Sequence, residues 1–157
     1  ANGRVFVTDA NRVQVFTAEG AFVLEWGGAG TGPGQFNSPF GIAVSGSGTI
    51  YVADSGKPRH IRVLEIAPDG TVSGGSVFCS LDKGAPDGIR VDATGRVWTS
   101  SGDGVQIFGT DGKLIGRILL PEAAANLCFG GPDGRTLFMT ARTSLYAVPT
   151  VVTGASR

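Results

Sequence analysis

Asp87 and Asn126 stand at matching places in a repeated pattern, and both carry oxygen donors. Asp87 lies ten residues before the apolar run that starts at Val97, and Asn126 eleven before the run at Leu137. Phe40 holds the same place ten residues before Ile50. A carboxylate and an amide oxygen that converge are hard donors of the kind calcium takes, in sets of about 6–8 oxygens. The sequence therefore nominates Asp87 and Asn126 as metal ligands. The competing use of Asp87 is structural, a side-chain bond that caps the turn before Gly88.

Other reactive residue types lack partners at useful spacing. His60 is the only histidine and has no neighbouring acid and nucleophile, so it reads as the start of a strand. Ser100-Ser101 lacks the glycine-flanked elbow of a serine hydrolase. Gly27-Gly28-Ala29-Gly30 opens no helix and reads as a crossing between sheets, not as a dinucleotide loop. Asp9, Asp54 and Asp103 fall where loops turn and are expected to bond those loops. Cys79 and Cys128 sit in apolar runs without metal-type spacing, and both are expected to be buried, reduced thiols. Trp26 and Trp98 read as packing between neighbouring sheets.

The elements that must position Asp87 and Asn126 are short strands. A β-rich pentapeptide recurs as Val5–Asp9, Ile50–Asp54, Val97–Ser101 and Leu137–Ala141, with starts 45, 47 and 40 residues apart. A period of that size marks a β-propeller, in which one small sheet cannot bury both faces alone. The 26 Gly and 8 Pro punctuate many short strands and leave no room for long helices. The fold expected is all-β, a β-propeller of four-stranded antiparallel blades with about four repeats, the first and last incomplete. The whole chain, residues 1–157, reads as one propeller-type domain with repeats at about 4–36, 37–84, 85–121 and 122–157.

The second repeat is the template. Its inner strand is Phe40–Val44, followed by Ile50–Asp54, His60–Ile66 and an outer strand Val72–Cys79, with a hairpin turn at Pro68-Asp69-Gly70. The third repeat reads as Asp87–Val91, Val97–Ser101, Val105–Phe108 and Leu114–Leu120. In the fourth, Asn126–Phe129, Leu137–Ala141 and Leu145–Val148 leave only Val151-Val152-Thr153 for an outer strand. In the first, only Ala1-Asn2-Gly3-Arg4 precede Val5, so its inner strand is expected to be missing and its sheet to have an open edge. Either the C-terminal tail closes a small four-bladed ring, or strands of a second chain complete the sheets in a homo-oligomer. The second is preferred, because Pro149 suits an edge strand. Phe40, Asp87 and Asn126 each open an inner strand and should meet at the mouth of a central channel.

Two families are legible. Residues from about Gly3 to Asp54 resemble NHL repeats through Arg12-Val13-Gln14-Val15-Phe16 and Gly34-Gln35-Phe36-Asn37-Ser38-Pro39 before Gly41-Ile42-Ala43-Val44. From about Ile50 onward the chain resembles the gluconolactonase/regucalcin (senescence marker protein) family. The carriers are Tyr51-Val52-Ala53-Asp54, Ala85-Pro86-Asp87-Gly88-Ile89-Arg90-Val91-Asp92, Gly95-Arg96-Val97-Trp98 and Asn126-Leu127-Cys128-Phe129-Gly130-Gly131-Pro132-Asp133. The change of style suggests a truncated, recombined or engineered chain.

The second resemblance implies a six-bladed propeller with a divalent cation, usually calcium, in the channel. It implies a lactone or ester hydrolase in which the cation polarises the carbonyl and Asp87 activates water, with Asp87 and Asn126 as ligands. Phe40 stands where the family has asparagine, and the blade that carries a glutamate ligand is absent. The alternative is a non-catalytic propeller fragment that serves as an assembly or protein-binding scaffold.

Thirteen basic residues balance thirteen acidic ones, so no net field draws the chain to nucleic acid or to an anionic membrane. No apolar run is long enough to span a bilayer. A soluble protein is expected, with the cytoplasm favoured and a small lactone or ester as its ligand.

Overall fold

Alternating apolar residues between Gly-rich turns fold into antiparallel strands with short connections. The structure, a computed structural model, describes residues 3–67 and 71–155. Every element among them is a strand. The first sheet has β1 (Val5–Asp9), β2 (Arg12–Phe16) and β3 (Phe22–Gly27). The second has β4 (Pro39–Val44), β5 (Ile50–Asp54), β6 (His60–Ile66) and β7 (Val72–Ser80). The third has β8 (Ile89–Val91), β9 (Val97–Ser101), β10 (Gly104–Phe108) and β11 (Leu114–Leu119), and the fourth β12 (Ala124–Gly130), β13 (Thr136–Ala141) and β14 (Leu145–Pro149). Among the described residues the first sheet has no strand equivalent to β4, and the fourth none equivalent to β7. The Pro68-Asp69-Gly70 turn lies outside the described residues.

Each sheet packs against the next, and the innermost strands gather. β4 touches β1 on one side and β8 on the other, and β12 touches β8 and β9. Three apolar cores fill these junctions. Val13 and Phe36 join Ile50, Val52 and Leu64 between the first two sheets. Tyr51, Ala53 and Ile61 meet Ile89, Val97 and Phe108 between the second and third. Trp98 and Val105 meet Leu127, Leu137 and Met139 between the third and fourth. Trp98 stands edge-on to Phe129 with ring centroids 5.3 Å apart, and Trp26 packs into the first junction.

β5 and β9 are buried along their whole lengths because a sheet covers each face. β1 and β14 alternate, since a neighbour covers only one face of each outer sheet.

Two expectations are corrected. Cys79 is buried, but Cys128 is exposed. It points away from the junction that its neighbour Leu127 fills, and no further sheet covers that side among the described residues. Residues 151–153 form no outer strand. The tail instead runs back to the third sheet, where Ala93 N donates to Thr153 O at 2.9 Å and Ala155 N to Val91 O at 2.8 Å. Thr150, whose hydroxyl donates to Val152 O, and Arg135, which donates to Val151 O, hold this reversal. The tail thus spends its backbone bonds at the foot of β8 and does not close a ring onto the first sheet.

Among the described residues no helix is long and apolar enough to cross a membrane.

Candidate functional site

Opposite the tail, the starts of the inner strands enclose an open cavity of about 410 Å³. Phe40, Asp87 and Asn126 all line it, as their shared place in the repeat requires. Thr8 and Arg90 add polar side chains to the wall, beside Pro39, Gly41 and Gly88. Thr8 belongs to β1, which takes the innermost place because its sheet has no strand inside it. Arg90 lies three residues after Asp87 on β8, and its signal in the sequence was only that proximity.

Glycine makes the convergence possible. A side-chain carbon at Gly41 would sit 2.1 Å from the Asp87 carbonyl oxygen, and one at Gly88 would sit 2.6 Å from the Asn126 Cα. Only a residue without Cβ lets neighbouring inner strands approach so closely. The Pro39-Phe40-Gly41 and Pro86-Asp87-Gly88 segments therefore place a variable residue at the cavity beside an obligatory glycine.

Hydroxyl groups tie each strand start to the preceding sheet. Thr8 Oγ1 donates to Phe40 O, and Ser55 Oγ donates to Pro86 O. Ser100 Oγ donates to Ala125 O at 3.0 Å and accepts from Gly88 N at 3.0 Å. Ser100 is buried, and these bonds give it a scaffolding role.

The ligand candidates differ in environment. Asp87 is half-buried, and burial pushes its carboxyl above the ordinary value. Among the described residues it accepts no hydrogen bond, so the turn cap considered for it does not form. Asn126 is exposed, and its Oδ1 accepts from Leu127 N at 2.8 Å. Phe40 brings carbon in the third position and is 57% exposed. The described residues contain no group of three or more His, Cys, Asp or Glu side chains arranged to hold a metal.

A second polar cluster, unforeseen in the sequence, lies buried between the first two sheets. Asp54 accepts from Asn37 N at 2.6 Å, and its other oxygen meets His60 Nε2 and Arg62 Nε, each at 3.0 Å. Arg62 also donates to Gly75 O at 2.7 Å and to Thr31 O at 2.6 Å. Burial, then the Arg62 charge, hold the His60 imidazole below its ordinary pKa despite Asp54. Asp54, His60 and Arg62 are each 1% exposed, so this cluster clamps the crossing between sheets and meets no ligand.

Antiparallel sheets of three and four strands, packed side by side with their inner strands gathered around a cavity, define a β-propeller architecture. The chain belongs to the SMP-30/gluconolactonase/LRE-like family, whose pattern matches residues 1–143 and so takes in the opening that resembles NHL repeats. It is 30% identical over 128 residues to a gluconolactonase of Zymomonas mobilis, covering 74% of this chain and 36% of that protein. It is 36% identical over 63 residues to regucalcin of Xenopus laevis, covering 38% of this chain and 21% of that one. Among solved structures, a gluconolactonase of Xanthomonas campestris superposes with a TM-score of 0.73 at 30% identity, over 87% of this chain and 43% of that one. The chain thus spans less than half the length of these relatives.

Proposed function

We propose that the cavity binds and hydrolyses a cyclic ester, with Asp87 at its centre and calcium as a weakly held cofactor. The observation that carries this reading is the Asp87 carboxylate, desolvated and without a hydrogen bond among the described residues. Burying a charge is costly unless something opposite compensates it. A cation or a polarised substrate in the cavity supplies that compensation. The gluconolactonase relatives support a lactone as the substrate class.

The donor set suits loose binding. Asp87 and Asn126 would hold the ion, and two protein donors fall well short of the usual 6–8 oxygens, so water and substrate would have to supply the rest. When bound, calcium would polarise the ester carbonyl oxygen. Asp87 has two oxygens, so one can face the ion while the other accepts a proton from water. The water oxygen adds to the carbonyl carbon, the ring C–O bond breaks, and the proton passes to the departing ring oxygen. The product is an open hydroxy acid, which ionises to its carboxylate. Arg90 keeps a permanent positive charge in the same cavity, suited to that product.

A second reading, a non-catalytic assembly or binding scaffold, is favoured by the carbon surface of Phe40 at the third ligand position. The inner edge of β1 is where a strand from a second copy would add, and sedimentation equilibrium at monomer mass would remove that form of it.

The deciding experiment is calcium titration followed by calorimetry and by pH-stat hydrolysis of glucono-δ-lactone, on the unaltered chain and on Asp87→Ala. Calcium-dependent stabilisation and hydrolysis, both lost in Asp87→Ala, are expected. Absence of both in the unaltered chain leaves the scaffold reading.

A further inference from the structure

Resting on the lactone reading above, we propose that Phe40 sets the specificity of the cavity, selecting a cyclic ester with an alkyl face over a polyhydroxylated one. Phe40 is 57% exposed, whereas Phe36 and Phe108 are 0% and 2% exposed in the cores. Its exposure is built in. In the pairing of β4 with β5, Pro39 faces Asp54 and Ile42 faces Val52, so Phe40 and Gly41 together oppose Ala53. An extra residue of this kind is a bulge, which bends the strand and re-aims a side chain. Here it turns Phe40 out of the sheet and into the cavity wall.

The platform is also fixed. Thr8 bonds the Phe40 carbonyl, Pro39 is buried, and Gly41 lies against the Asp87 backbone. A ring with few rotatable bonds on an anchored backbone loses little freedom when a ligand covers it.

Part of the polar wall is committed to the protein itself, and Asp87, which is not, is taken up by the ion and the attacking water in the lactone reading. The Thr8 hydroxyl serves Phe40 O, Asn126 Oδ1 serves Leu127 N, and Arg90 Nη1 donates to Ile89 O at 2.6 Å. A polyhydroxylated ligand would give up bonds to water and find few replacements, which is unfavourable for each unmatched hydroxyl. An alkyl face laid on Phe40 removes apolar area from water on both partners. Discrimination through an apolar wall is modest, about 10–100-fold.

The test compares δ-nonalactone, which carries an alkyl chain, with glucono-δ-lactone, on the whole chain and on Phe40→Ala and Phe40→Leu. Two readouts are taken: the ratio of kcat/KM for the two lactones, and saturation-transfer NMR, which detects binding without turnover. The unaltered chain should prefer δ-nonalactone by about 10-fold or more. Phe40→Ala should lose that preference through KM, and Phe40→Leu should keep most of it. Hydrolysis with an unchanged ratio in Phe40→Ala, or a preference for glucono-δ-lactone, overturns the role of Phe40 and leaves the lactone reading intact. Saturation transfer to δ-nonalactone that disappears in Phe40→Ala, without any hydrolysis, upholds Phe40 and overturns the catalytic reading. Neither hydrolysis nor saturation transfer overturns both.

Discussion

Asp54 and Asp92 are both 1% exposed and both saturated with donors, whereas the half-buried Asp87 has none among the described residues. Asp54 draws on a backbone amide, an imidazole and a guanidinium. Asp92, at the other end of the strand that Asp87 precedes, accepts from Thr94 N, Arg96 N, Arg96 Nε, Thr94 Oγ1 and Trp98 Nε1 at 2.7–3.1 Å. The molecule therefore satisfies buried carboxylates where it can, and the exception stands at the cavity. That contrast at a concave site supports the ligand role proposed for Asp87.

The largest expected effect of breaking this contrast is at Asp54. Asp54→Ala leaves Arg62 and His60 buried without their acid, and should cost about 3–5 kcal/mol in urea unfolding. A loss near zero would mean that the cluster is not holding the first two sheets together. Removing an acceptor is less severe where it leaves no fully buried cation behind. Asp92→Ala strands the Trp98 N–H and the half-exposed Arg96, for about 2–3 kcal/mol. Asp87→Asn should change stability by less than about 0.5 kcal/mol at neutral pH, or raise it, because it removes a partly desolvated charge that accepts no hydrogen bond among the described residues.

The two ends of β8 should also answer pH in opposite senses. Burial alone would raise Asp92, but bonds from Thr94, Trp98 and Arg96 together hold it below its ordinary 3.8. Its stabilisation is present above that value and is lost as pH falls through its lowered native pKa. Asp87 is raised by burial, so its contribution is present below 3.8 and is lost as pH rises through its native pKa. The melting temperature of Asp87→Asn relative to the unaltered chain should therefore climb as pH rises from that region. A flat difference would show that Asp87 is as well solvated in the native state as in the unfolded one.

Most strands and the site position were legible because they depend on local pattern. Alternation and Gly-rich turns locate β4 to β6 within a residue, and the repeat spacing brings Phe40, Asp87 and Asn126 to one mouth. The signals that failed were relational. Cys128 reads as core because its run is apolar, yet one face of the fourth sheet has no cover among the described residues. Arg62 carries no signal beyond its place in the His60–Ile66 strand, and its burial rests on Asp54, on Gly75 O and on the crossing that delivers Thr31 O. Thr8 reads as a second-strand residue and reaches the cavity because no strand among the described residues lies inside β1.

By itself the sequence determined a repeating sheet and the residue that opens each inner strand, since periodicity and turn chemistry act over a few neighbours. Only the tertiary structure decided which carboxylates are satisfied. That outcome depends on donors far along the chain, such as Asn37 for Asp54, and on the tail folding back to β8 instead of closing a ring. Hydrogen bonds and burial are properties of surroundings, and for Asp87 the surroundings provide a cavity in place of a partner.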